Sequence, residues 1–74
     1  MTKEEAFLKK LGERIDELRK EQNLSFQDLA YKSEINKSNL VTMTSKGSNI
    51  TSLSLYKISK ALNVPLSEIF DFKY

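Results

Sequence analysis

The stretch SFQDLAYKSEINKSNLVTMTSK, residues 25–46, decides how this chain folds. Ser25 with Asp28 three residues on has capping-box spacing, Asp standing in for the usual Glu or Gln. A short helix over about 26–33 is therefore predicted, carrying Leu29 and the small Ala30 inward. SEIN interrupts it. Asn36 can cap a further helix to about Ser45, on which Leu40 and Met43 lie three apart and face the interior. A turn of three or four residues is too short for the two helices to lie side by side. They must cross steeply, with Ala30 where they come closest, which is a helix-turn-helix unit over about 26–45.

The flanks supply the rest of the bundle. Upstream, Leu8, Leu11, Ile15 and Leu18 recur at three and four residues among charged neighbours, which predicts an amphipathic helix over about 4–22. Asn23 suits its left-handed end, and Leu24 turns inward. Downstream, KGSNIT reads as a loop in which Gly47 is free to take positive φ. Thr51 or Ser52 caps a fourth helix with the buried stripe Leu55, Ile58 and Leu62, ended by Asn63. Val64-Pro65 opens a last short helix, Pro65 near its first position, with Leu66, Ile69 and Phe70 inward. The expected fold is all-α, a compact bundle of five short helices forming one domain over residues 1–74.

Composition narrows the function. With 74 residues and no cysteine, the chain has a thin core and neither disulfides nor thiolate metal sites. It also has no histidine, so the usual general base and thiol nucleophile are both missing. No zinc, calcium or glycine-rich phosphate-loop spacing occurs, and close-packed short helices are expected to leave no ligand-sized pocket. Neither an enzyme nor a cofactor nor a small-molecule ligand is expected. No apolar run reaches the ~20 residues of a membrane span, and the charged start MTKEEAFLKKLGER has no signal-peptide block, so a cytoplasmic, soluble protein without membrane attachment is expected.

Charge is uneven. Residues 1–24 balance six basic groups against six acidic ones, whereas residues 25–60 carry Lys32, Lys37, Lys46, Lys57 and Lys60 against only Asp28 and Glu34. The positive field thus centres on the third helix. By subtraction from its apolar side, the outer face of that helix is Lys37, Ser38, Val41, Thr42 and Ser45, with Asn39 flanking. Such side chains are mediocre helix formers. They make sense against base edges in a DNA major groove, where short donors and acceptors approach closely and Lys or an amide reaches guanine O6 and N7. No acidic residue occurs between Asn36 and Thr51 to repel phosphate.

From about Leu11 to Phe70 the chain resembles the phage Cro/repressor type of helix-turn-helix domain, the xenobiotic-response-element family of bacterial transcriptional regulators with a lambda-repressor-like fold. The matching segments are LGERIDELRKEQNLS, DLAYKS, INKSNL, and SN followed by LYKISKALNVPLSEIF. The resemblance implies binding of double-stranded DNA, usually as a homodimer on a pseudo-palindromic operator. Carried over by position, it implies base contacts from Lys37, Ser38 and Thr42, with Asn39 as a further one. It implies backbone contacts from Asn36, Lys46, Ser48 and Asn49, with backbone amides at the starts of the second and third helices facing phosphate. Leu66, Ile69, Phe70 and Phe72, in the apolar C-terminal segment, are the expected dimer interface.

Four positions depart from the family pattern. Phe26 stands where Gln usually touches phosphate, leaving Gln27 as the substitute. Glu34 occupies a turn position that is often Gly. Thr44 replaces the Glu that commonly pairs with an Arg of the first helix, leaving Arg19 for phosphate. The usual ERG ending of the third helix reads TSK, with Gly47 displaced by one. Phe26 and Glu34 favour the alternative, a helix-turn-helix fold acting as a protein-interaction module, an adaptor or antitoxin-like partner with weak or no DNA binding.

Overall fold

The computed structural model describes residues 2–48 and 50–73. Its elements are α1 (Lys3–Glu21), α2 (Phe26–Ser33), α3 (Lys37–Lys46), α4 (Ser52–Leu62) and α5 (Leu66–Ile69). Each boundary has a local cause. Thr2 and Glu5 form a reciprocal capping box at the start of α1, and Ser25 with Asp28 does the same for α2. The Asn36 carboxamide accepts from the Ser38 N–H at 2.8 Å, and Thr51 accepts from the Ser54 N–H at 3.1 Å. Pro65 is the N-cap of α5, immediately before its first residue, Leu66.

Among the described residues, each of the four junctions has one left-handed residue: Asn23 (φ 57°), Glu34 (φ 59°), Gly47 (φ 70°) and Asn63 (φ 55°). Asn tolerates this conformation, and at Gly47 the space itself demands glycine: an added Cβ would lie 2.8 Å from the Lys9 nitrogen and closer still to the Leu8 carbonyl. Glu34 has neither excuse and carries the strain expected of a residue standing where Gly is usual.

The core is Leu11, Ile15, Leu18, Leu29, Leu40, Met43, Leu55, Ile58, Leu62 and Ile69. The predicted stripes of α1, α3 and α4 are thus inside, with one exception. Leu8 lies at the exposed edge of α1 beyond the end of α3, and Phe7 turns inward instead, its ring 5.8 Å from that of Phe72. In α5 a single turn can bury only one side, so Ile69 is fully enclosed while Leu66 and Phe70, both predicted inward, are each 42% exposed. None of the described helices is long and apolar enough to cross a membrane.

Close approach of α1 to α3 depends on Gly12. A Cβ there would overlap the Met43 carbonyl oxygen and sit 3.1 Å from that of Thr44. The bareness of Gly12 lets the two backbones touch, which fixes the inner side of α3 and so the direction of its outer side.

Candidate nucleic-acid interface

The outer side of α3 is assembled from Lys37, Ser38, Asn39, Val41, Thr42, Ser45 and Lys46. Thr42 is half-buried and the rest are exposed. Leu40, Met43 and Thr44 face the other way, into the bundle. The two lysines stand at the two ends of the helix. The first turn of α3 contains no acid and its cap is a neutral amide, whereas α2 begins with a carboxylate that bonds the Ser25 N–H at 3.0 Å. Asp28 is held below the usual carboxylate range chiefly by that backbone N–H, so it stays charged. The α3 start is therefore the more attractive of the two helix starts for an anion.

The hydroxyls of α3 are ordered by local bonds. Thr42 donates to the Ser38 carbonyl at 3.0 Å and Ser45 to the Val41 carbonyl at 2.7 Å. Thr44, in the place of the family's Glu, is buried and donates to the Val41 carbonyl at 3.2 Å. The displaced Gly47 closes α3 by donating its N–H to the Met43 carbonyl at 3.0 Å. Lys46 and Ser48 lie on opposite sides of this turn, both exposed, and Asn36 and Gln27 are exposed at the starts of α3 and α2. Asn49 falls outside the described residues.

Arg19, expected at phosphate, has partners within the fold: Nε and Nη2 bond Asp16 Oδ1 at 3.1 and 2.7 Å, and Nη1 bonds the Leu24 carbonyl at 2.6 Å. The same group stacks on Phe26, 4.1 Å from the ring centroid. Two of the departures explain each other here. Without a Glu at position 44, Arg19 finds Asp16 one turn back on its own helix, and Phe26 becomes the platform that ties it to the start of α2. Burial would raise the Asp16 pKa, but bonds and charge from Arg19 and Lys20 outweigh it and hold the group low. An acid three residues before an Arg was the available signal for this latch.

The C-terminal expectations are corrected in part. Ile69 is sealed in the core and cannot meet a second copy, and Phe72 is half-buried against Phe7. Leu66 and Phe70 do face solvent, and Arg14 anchors their helix by bonding the Glu68 carbonyl at 2.9 Å and its carboxylate at 3.1 Å. The expectation of no ligand-sized cavity also needs amending. A surface cleft of about 470 Å³ runs between α1 and the loop after α3, past Leu8, Lys9, Lys46, Ser48 and Ile50.

Comparison with known proteins agrees with this geometry. The Cro/C1-type HTH DNA-binding domain matches residues 14–73. The crystal structure of the restriction-modification controller protein C.AhdI from Aeromonas hydrophila superimposes with a TM-score of 0.84 at 31% sequence identity, covering 88% of this chain and 98% of that one. No curated protein matches the chain. With a helix-turn-helix unit, a positively flanked outer α3 and a family match across nearly the whole sequence, the chain belongs to the Cro/C1-type helix-turn-helix DNA-binding family of transcriptional regulators.

Proposed function

We propose that the protein regulates transcription by binding a pseudo-palindromic operator as a homodimer, each copy laying α3 in one major groove. The observation that carries this is the outer face of α3: short uncharged side chains between Lys37 and Lys46, with no acid from Asn36 to Thr51. Lys37, Ser38, Asn39 and Thr42 are assigned to bases. Gln27, Asn36, Lys46, Ser48 and Asn49 are assigned to the sugar-phosphate backbone, where contacts set register without reading sequence.

Size supports the dimer. The longest extent of one copy is 32 Å, less than the ~34 Å between successive major grooves on one duplex face, so one copy reads one half-site. A single half-site gives too little discrimination against the many competing sites of a genome. Leu66 and Phe70 are the apolar groups of α5 exposed for the second copy.

The protein-interaction alternative loses one of its two supports, because Phe26 has a structural duty under Arg19. Binding to random duplex across a salt series separates the readings. A regulator binds at ~50 mM salt and weakens steeply as salt rises, through counterion release. Lys46→Ala should weaken all sequences alike and reduce the salt slope by about one, while Lys37→Ala with Thr42→Ala should relax sequence preference. A folded protein that ignores duplex at low salt would leave the interaction module as the better reading.

A further inference from the structure

Ser38, Val41, Thr42 and Ser45 are spaced by three, one and three residues, so they form one stripe along α3. Each of the three hydroxyls in this stripe already has a destination for its proton. Ser38 donates to the Asn36 amide oxygen at 2.5 Å, Thr42 to the Ser38 carbonyl and Ser45 to the Val41 carbonyl. A hydroxyl so committed keeps oxygen lone pairs for a partner, and Thr42 adds a methyl. Val41 contributes two more methyls and is 40% exposed in mid-helix. The donors lie off the stripe, Lys37 on one side and Asn39 and Lys46 on the other, each about 80–100° around the helix from Ser38.

We propose that the middle of this face reads thymine methyls and amino-group donors and disfavours guanine, an inference that rests on α3 being the groove-reading helix. In the major groove adenine and cytosine offer an amino donor and thymine its C5-methyl, whereas guanine offers only the acceptors N7 and O6. A hydroxyl that meets guanine has to give up its bond to the helix, because two acceptors cannot satisfy each other. One that meets an adenine or cytosine amino group keeps it. The methyls of Val41 and Thr42 then distinguish thymine from cytosine by contact. Each half-site is accordingly centred on A·T pairs, and any guanine stands to the side, in reach of Lys37 or Asn39.

Selection of bound sites from random duplex, followed by replacement of each thymidine in the recovered site by deoxyuridine, tests this. Deoxyuridine removes the C5-methyl and nothing else. At one or two central positions it should weaken binding about fourfold, equivalent to ~0.8 kcal/mol for one methyl-sized group at ~1.4 kcal/mol per factor of ten. Val41→Ala, an exposed and helix-favouring change, should erase the difference between thymidine and deoxyuridine at one position while leaving the circular dichroism spectrum unchanged. Thr42→Ser, which keeps the oxygen and loses the methyl, should do so at another. Guanine at the centre of each half-site, or indifference to deoxyuridine throughout, overturns the inference while sequence-selective binding stands. Recovery of no preferred sequence at all overturns it together with the reading on which it rests.

Discussion

Replacing Gly12 by Ala tests the contact that orients α3. Helix propensity alone says that Ala should stabilise α1 by about 1 kcal/mol. Packing reverses the sign. The new methyl would overlap the Met43 carbonyl oxygen and lie 3.1 Å from the Thr44 oxygen and 3.2 Å from the Met43 carbonyl carbon. These atoms belong to the backbone of α3, so no rotamer change relieves the overlap and the helices must separate. Overpacking of this kind costs ~1–3 kcal/mol, and a backbone clash belongs at the upper end of that range. After the propensity gain, a net loss of about 2 kcal/mol remains, a large share of the ~3–5 kcal/mol available to a core this small. At roughly 4–8 °C per kcal/mol for a domain of this size, Tm should fall by about 8–16 °C. Thermal and urea unfolding followed by circular dichroism give both quantities. Because α3 retreats with its outer face, the folded variant should also bind duplex less tightly. A Gly12→Ala protein as stable as the parent, or more so, would refute the claim that α1 and α3 meet backbone to backbone.

Arg19→Ala should cost about 1–2 kcal/mol in urea unfolding, since it strips partners from Asp16 and the Leu24 carbonyl and leaves Phe26 uncovered. Arg19→Lys should recover less than half of that, because an ammonium cannot stack and fork at once. Glu34→Gly should raise stability by about 1 kcal/mol by relieving a left-handed non-glycine residue, and should tighten duplex binding at low salt by removing an anion beside α3; an unchanged melting temperature would show that the turn bears no strain. Acid should unfold the protein through Asp16, Glu5 and Asp28, whose pKa values are all lowered in the fold. The stability they confer is fully present above the ordinary carboxylate range and is lost as pH falls through the lowered values. With no histidine in the chain, the melting temperature should be flat from about pH 5 to 8 and fall below about pH 4, less steeply in Asp16→Asn.

Helix positions were legible because their caps and apolar spacings are local properties. Ser25 with Asp28 and Asn36 announced α2 and α3 without reference to the rest of the chain, and Leu40 with Met43 gave the inner side of α3. What could not be read were choices made between elements. Whether Phe7 or Leu8 turns inward depends on where Phe72 ends up, and whether Leu66 or Ile69 is buried depends on the tilt of a one-turn helix. Arg19 is expected at phosphate from the sequence, and its place on the face of Phe26 is visible only when α1 and α2 are docked. Gly12 gives no signal in the sequence, because a glycine inside a helix looks like a weakness until a neighbouring backbone is seen against it. Of the expected contact surface, residue identities on α3 were accessible from periodicity. The directions of its hydroxyl protons were not, being settled by carbonyls of the same helix.

The packed rings of Phe7 and Phe72 hold the first turns of α1 beside the segment that follows α5. A peptide tether from the segment after α5 of one copy to the start of α1 of another therefore leaves and arrives on the same side of each copy. Such a single-chain pair would hold its halves at an effective concentration of roughly millimolar, so its occupancy of a two-fold site would follow the first power of protein concentration, not the second.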